Sequence, residues 1–335
     1  MKTSLFDYYL PPELIANSPA FPRDHSRLMV INKNTGEITH KLFFNLIDYL
    51  DSNDVLVLNN TKVFPARIYG KKETGGKIEV LLHKNITEFE WEALCKPGIK
   101  IGTKIIFDGF NGEVINRDKE LHIIKFNLEK VELINLLQKV GVTPLPPYIH
   151  STEKEENIRK EYQTIYAKDL GSVAAPTAGF HFTEELLEKI KNKGVQIEYI
   201  TLHVGMGTFA PVKTDTLEEH VMHSEEFFVD QATLTSLNDA KRAGKRIIAV
   251  GSTSTRVLES IANGNKTNST DIFIYPPYKF KFVDVMITNF HLPKSTLMAL
   301  VYAFGGTDLI KKAYEIAIKE KYRFYSFGDS SMIIG

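Results

Sequence analysis

Cysteine is almost missing: Cys95 stands alone in 335 residues. A lone thiol excludes an intrachain disulfide framework and a thiolate-rich zinc site, and it fits a reducing compartment. Charge of one sign is also lacking. Lys plus Arg and Asp plus Glu both number 41, so the molecule as a whole does not attract nucleic acid, and such binding would need a local patch. The stretch from Lys266 to Arg323, with nine basic against five acidic residues, permits one. No run of about 18 apolar residues occurs, so no membrane span is expected. The opening MKTSLFDYYLPPELI has no basic segment followed by an apolar one, so no signal peptide is expected and a cytoplasmic location is. HExxH and GxSxG are absent, which removes the common zinc-protease and serine-hydrolase signatures. There is no internal repeat, low-complexity segment or zipper stripe, and a monomer is the default.

What is there reads as an ordinary soluble globular chain, 43% hydrophobic and 24% charged. Its length exceeds one usual core, so two domains are expected. From about Ala66 to His150 the texture is of short alternating strands separated by glycines, such as Lys77–Leu82, Trp91–Leu94 and Leu121–Phe126. That pattern indicates a small antiparallel barrel or sandwich. Lys130–Val140 reads as a helix stopped by Gly141. Outside this insert strands and helices alternate: Leu28–Ile31, Val55–Leu58, Tyr162–Ala167, Val195–Val204, Arg246–Val250, Asp271–Tyr275, Val283–Ile287 and Arg323–Phe327 as strands, with helices such as Glu184–Lys193, Arg256–Ala262 and Asp308–Lys321 between them. The expected fold is therefore α/β. A larger, barrel-like α/β domain made of residues 1–65 and 151–335 would carry an inserted β-barrel domain of residues 66–150.

The chemistry concentrates between Gly171 and Glu226. Four of the ten histidines lie here, His181, His203, His220 and His223, among glycines, threonines and prolines. Small residues let backbone approach a ligand, and imidazoles move protons near neutral pH. Gly205-Met-Gly-Thr-Phe-Ala210 matches a dinucleotide fingerprint, but no helix pattern follows it, as phosphate binding there would need. His220-Val-Met-His223 is a loose metal spacing, and two surface histidines near Glu225 and Glu226 explain it equally. Gly251-Ser-Thr-Ser-Thr255, between a strand and a helix, suits an anion or sugar hydroxyls, or plain capping. Asn289, His291 and Lys294 bring an amide, a proton carrier and a cation to one loop. Arg23, Asp24, Ser26 and Arg27 read either as a surface ion pair or as a clamp for phosphate or carboxylate.

The ordered blocks FDYYLPPELIA, PRDHSRLMV, VLVLNNTKVFPAR, GSVAAPTAGFHFT, TLHVGMGTFAPV, HVMHSEEF, AVGSTSTRVLES, ITNFHLPKSTL and YRFYSFGDSS run from one end of the chain to the other. In them the chain resembles the S-adenosylmethionine:tRNA ribosyltransferase-isomerases of queuosine biosynthesis, with small departures at Pro277 and Gly305-Gly306. The resemblance implies two substrates, S-adenosylmethionine as co-substrate and a tRNA anticodon arm whose wobble base carries an aminomethyl-deazaguanine. The ribosyl group would move to that amine and rearrange, giving epoxyqueuosine in tRNA, adenine and methionine. No tightly bound cofactor or metal is called for. On this reading His203 is the expected base, and His181 and His291 are expected to protonate adenine or orient the ribose. Thr177, Thr208 and Ser254 would bond sugar or amino-acid groups, Arg256 and Lys294 would hold a carboxylate or phosphate, and Gly205, Gly207 and Asn289 would line the substrate. Lys62 and Arg67 stand where RNA contact or ordinary surface charge explains them equally. The rival classes are a non-catalytic tRNA-binding module, a metal-dependent hydrolase and a Rossmann methyltransferase.

Overall fold

Runs of branched apolar residues set the first strands, β1 (Arg27–Asn32), β2 (Ile38–Leu42) and β3 (Asp54–Asn59). The computed structural model describes residues 1–146, 148–149, 151–205 and 211–335. β4 (Thr61–Val63) leaves the sheet, and the chain then enters β5 (Arg67–Lys72), β6 (Lys77–Asn85), β7 (Glu90–Lys96), β8 (Lys104–Ile106), β9 (Asn111–Asp118) and β10 (Leu121–Phe126). These six close into an antiparallel barrel in the order β10-β7-β6-β5-β8-β9. Helix α1 (Lys130–Val140) sends Leu133 and Leu137 into the barrel core. After α2 (Glu155–Glu161), strand β11 (Asp169–Ser172) returns to pair with β4 in parallel.

The remainder alternates as an α/β chain. It runs α3 (Glu184–Asn192), β12 (Gln196–Leu202), β13 (Glu225–Phe228), α4 (Gln231–Arg242), β14 (Arg246–Val250) and α5 (Gly251–Ala262). Then come β15 (Ser269–Thr270), β16 (Val285–Asn289), α6 (Thr296–Gly305), α7 (Thr307–Lys319) and β17 (Ser330–Ile334). Among the described residues nine strands form the larger sheet, ordered β15-β13-β12-β3-β14-β16-β17-β1-β2. β3 lies inside it between parallel β12 and β14, and every one of its residues is buried. A strand with both faces covered has no solvent face to alternate toward, hence the unbroken run Val-Leu-Val-Leu. Met29, Ile31, Val55 and Val57 enter the core on one face, and Leu28, Val30, Leu56 and Leu58 the core on the other. The expected combination of an α/β sheet and a small antiparallel barrel is thus present. No helix among the described residues is long and apolar enough to cross a membrane.

Four expected elements differ. Tyr162–Ala167 is a turn and not a strand. The Gln163 amide pairs with both backbone groups of Val63, donating at 2.8 Å and accepting at 3.1 Å, so it does the work of a strand neighbour for β4. Asp271–Tyr275 forms no strand beyond the short β15 before it. The segment that follows is anchored by Glu259, whose buried carboxylate accepts the N–H groups of Lys281, Phe282 and Val283 at 2.9–3.0 Å and the Tyr278 hydroxyl at 3.0 Å. Arg323–Phe327 is likewise not the last strand, which is β17. Buried Asp329 accepts the Arg323 N–H at 2.8 Å and the Arg27 N–H at 3.0 Å, fixing a turn. Finally, α5 begins at Gly251 rather than Arg256, and the Ser254 and Thr255 hydroxyls donate to the Val250 and Gly251 carbonyls within it.

Glu259→Ala should destabilise the protein by more than about 3 kcal/mol, since two buried N–H groups and the part-buried one of Lys281 each lose a partner. Urea unfolding measures this, and a shift below about 1 kcal/mol would show that the 278–283 segment is held by its apolar contacts alone.

Candidate active site

His203 follows β12 directly, and its position is set by side chains that imitate strand pairing. The Asn59 amide donates to the Leu202 carbonyl and accepts the Leu202 N–H, both at 3.0 Å. Thr201 donates to Asn60 at 2.7 Å. Together they continue the β3–β12 pairing past its last residues, so His203 leaves the sheet at a fixed point. Its backbone N–H donates to the Glu226 carbonyl at 2.9 Å, and its Nδ1 lies 2.8 Å from Thr61 Oγ1. The ring lies against Gly171, where a Cβ would come within 2.7 Å of it. Glycine is required at that point for lack of space.

His203 opens onto a cleft of about 330 Å³ between barrel and sheet, lined on the barrel side by His83, Lys84 and Trp91 and on the sheet side by Gly205, Glu225 and Glu226. Lys84 reaches across to Glu226 at 2.9 Å. Half-burial lowers the His203 pKa, an effect opposed by Glu226 and Asp169 and reinforced by Lys130. The imidazole is therefore neutral near pH 7 and can accept a proton.

A second, smaller cavity shares Val204 with that cleft. Thr177, Asn289 and His291 come together here beside the first turn of α5, contributed by Gly251, Ser252 and Thr253. Thr177 donates to Asn289 Oδ1 at 3.4 Å, and Asn289 Nδ2 donates to the Tyr325 carbonyl at 3.0 Å. His291 Nε2 is 2.9 Å from Thr288 Oγ1, and burial pushes its pKa down to about 3.

The other expected site residues are placed differently. His181 is buried behind the second cavity. Its Nε2 accepts from Asn289 at 3.3 Å and its Nδ1 donates to Ser26 at 2.7 Å, while its ring packs on Phe43. Burial, with Arg323 and Arg23 nearby, lowers its pKa to about 3. With both nitrogens engaged, His181 orients Asn289. Ser254 is fully buried and bonds its own helix. Arg256 is committed internally, to buried Glu225 and to the carbonyls of Ile272 and Thr270. That Glu225 carboxylate also accepts the Gly205 N–H at 3.0 Å. Lys294 forms a half-exposed ion pair with Asp7 at 2.7 Å. Gly207 and Thr208 lie outside the described residues. His220 and His223 face a small cavity with His83, Gly205 and Arg256, and among the described residues no group of three or more His, Cys, Asp or Glu could hold a metal.

Arg23 and Arg27 are neither a surface ion pair nor an anion clamp. Arg23 donates to the carbonyls of Gln163 and Glu161 at the end of α2, and Arg27 to that of Glu320 at the end of α7. Both cap helix C-termini, where carbonyls lack partners. Arg67 reaches the Leu145 carbonyl and Glu79, while Lys62 is exposed on β4.

The residues that sequence reasoning missed are Thr61, His83, Trp91 and the two acids as cleft walls. The polar run His83-Lys-Asn85 ending an apolar strand was a visible sign. That it faces His203 depends on how the barrel folds back.

The two deeply buried imidazoles make a pH prediction. Unfolded histidine binds its proton near 6.5, whereas folded His291 does so near 3. Between those values the unfolded chain holds more protons, so this contribution to stability is complete above 6.5 and drains away as the pH falls toward 3. His291→Gln should flatten the dependence of the urea midpoint on pH across that window. An unaltered slope would mean that His291 keeps an ordinary pKa in the folded protein.

A family model described as queuosine biosynthesis protein matches residues 3–333. The S-adenosylmethionine:tRNA ribosyltransferase-isomerase of Thermosipho melanesiensis is 53% identical over 341 residues, covering 99% of this chain and all of the relative. That of Thermosipho africanus is 52% identical over 343 residues, with the same coverage. A crystal structure of S-adenosylmethionine tRNA ribosyltransferase from Thermotoga maritima, 39% identical, aligns over 99% of this chain and all of that one with a TM-score of 0.58. Matched from end to end by the family model and by relatives of its own length, this chain belongs to the queuosine biosynthesis protein family, the family of the S-adenosylmethionine:tRNA ribosyltransferase-isomerases.

Proposed function

We propose that this protein transfers and isomerises the ribosyl moiety of S-adenosylmethionine onto the aminomethyl-deazaguanine wobble base of a tRNA, giving epoxyqueuosine-tRNA, adenine and methionine. Family membership along the whole chain carries the reaction class. The observation that carries the site is His203, a neutral imidazole at the wall of a cleft wide enough for a nucleoside. With Nδ1–H donating to Thr61, Nε2 keeps its lone pair for the substrate. A sulfonium acidifies the protons on the adjacent C5′, and His203 removes one. The resulting carbanion breaks the C4′–O4′ bond, and the freed oxygen becomes the C1′ carbonyl as adenine leaves, taking up the proton that His203 has gained. The amine of the modified base is the nucleophile, and epoxide closure releases methionine. Glu225 and Glu226 line the same wall, paired with Arg256 and Lys84. S-adenosylmethionine enters as a co-substrate, and the working form is a cytoplasmic monomer. A non-catalytic RNA-binding module or a metal-dependent hydrolase is not favoured by the family.

The barrel, read as an inserted domain of residues 66–150, offers the surface for the anticodon arm. Lys71, Lys72, Lys77 and Lys96 line an open groove of about 920 Å³ on it, against Glu79 and Asp108, with Tyr69 at its edge 57% exposed. Clustered ammonium groups beside an exposed aromatic suit a phosphate backbone with an unstacked base. The groove shares Glu79 and Lys96 with a cavity at the seam that reaches Val173 and Ala174 of the sheet domain.

Incubated with S-adenosylmethionine and tRNA bearing the aminomethyl base, the protein should release adenine and methionine and no S-adenosylhomocysteine. His203→Ala should lower adenine release by about 100-fold or more, the usual yield of a positioned base, while still binding tRNA. C5′ hydrogen exchange at the wild-type rate in that variant would remove His203 from the base role. Replacing Lys71 and Lys77 together by Ala should weaken tRNA binding and flatten its salt dependence, by about one unit of slope for each phosphate no longer neutralised. An unchanged slope would move the RNA off the barrel groove.

A further inference from the structure

We propose that the first turn of α5 is a carboxylate site, with the Thr253 hydroxyl and the free N–H groups beside it receiving the amino-acid end of the sulfonium co-substrate. The inference rests on the reaction assigned above and adds the orientation of that substrate. α5 runs for 12 residues, and Val250, its N-cap, supplies no side-chain hydrogen bond. The opening N–H groups of such a helix have no partner within it, and their aligned dipoles favour a negative charge.

Thr253 is the second, independent observation. Four consecutive residues in this turn, Ser252 to Thr255, carry hydroxyls. Ser254 and Thr255 donate to the carbonyls four residues back, at 2.8 and 3.1 Å. Thr253, only 7% exposed, has no partner for its Oγ1. That hydroxyl turns toward Gly251, 3.4 Å from where a Cβ on Gly251 would sit, and both residues line the second cavity. A buried hydroxyl without a partner costs free energy, and a bound ligand would remove that cost.

Size and charge select the ligand. The cavity, at about 40 Å³, is much smaller than the cleft of about 330 Å³, so the small carboxylate end belongs in the first and the nucleoside in the second. Among the described residues no Lys or Arg lines it, leaving the helix end and hydroxyls to balance an anion. The adjoining cleft, which shares Val204, carries His203, with Glu225 and Glu226 balanced there by Lys84 and Lys130. S-adenosylmethionine has the matching layout: its carboxylate lies a few bonds from its sulfonium. Anchored at Thr253, it points the sulfonium and C5′ toward His203.

The test compares S-adenosylmethionine with its decarboxylated analogue by calorimetry on full-length wild type, Thr253→Val and Thr253→Ser, alongside apo-protein melting and adenine release with modified tRNA. Wild type should favour the carboxylate-bearing compound by about tenfold or more, as for a hydrogen-bonded charge. Thr253→Val should lose most of that preference with its affinity for the analogue unchanged, and Thr253→Ser should retain it. Apo Thr253→Val should melt no lower than wild type, since it loses a hydroxyl that has no partner. Full discrimination in Thr253→Val, or a lowered apo melting point with ligand binding intact, would assign the hydroxyl to a structural water and overturn the proposal. Absence of adenine release from wild type would instead overturn the assigned reaction, and the carboxylate site with it.

Discussion

Burial of one carboxylate ties the two cavities together. Glu225, on β13, and Arg256, on α5, are each about 5% exposed and bonded to one another. The same carboxylate accepts the N–H of Gly205, two residues beyond His203. A buried ion pair adds little net stability, but with one partner removed the other becomes an uncompensated charge at a cost of about 3–5 kcal/mol. Alternative arrangements of these three elements are therefore excluded more strongly than apolar packing would exclude them. The helix whose first turn faces one cavity and Gly205, just beyond His203, are held in a single register by this group.

Burial also divides labour among the imidazoles. His181 and His291 lie so deep that they are neutral at any pH the enzyme meets, and their ring nitrogens bond to neighbouring side chains. His203 is only half-buried, and Glu226 and Asp169 partly restore its basicity. A general base needs a free lone pair and a pKa not far below the working pH. The half-buried position, with two carboxylates beside it, suits the base role proposed for His203 better than the deep burial of His181 and His291.

The α/β alternation, the barrel insert and the position of His203 at a strand end were legible because they depend on local periodicity and on turn residues. The failures share a cause. Asp271–Tyr275 and Arg323–Phe327 have the composition of strands, but the side chains of Arg256 and Thr270 bond the backbone of Ile272, and that of Asp329 bonds Arg323. Arg256 and Lys294 looked like anion holders because a cation's partner cannot be read from its own segment, and both proved to have carboxylates of this chain beside them. Thr253 was passed over for Ser254 because sequence does not say which hydroxyl in a turn bonds back to its own helix. Only the three-dimensional hydrogen-bond pattern separates them.

The insertion of the barrel between β4 and β11 follows from the kind of reaction the site must run. β4 and β11 lie side by side, so the chain leaves and re-enters the sheet at one place, close to Thr61, Gly171 and His203. A barrel rooted there faces His203 across the cleft, and His83 comes so near Gly205 that a Cβ on that glycine would lie 2.9 Å from its Nε2. One small charged co-substrate and one RNA base must meet at a shared carbon. An enclosed cavity could hold the first but would exclude the second, and an open sheet edge would admit water to a carbanion. A small cavity beside a cleft between barrel and sheet meets both demands of the proposed reaction.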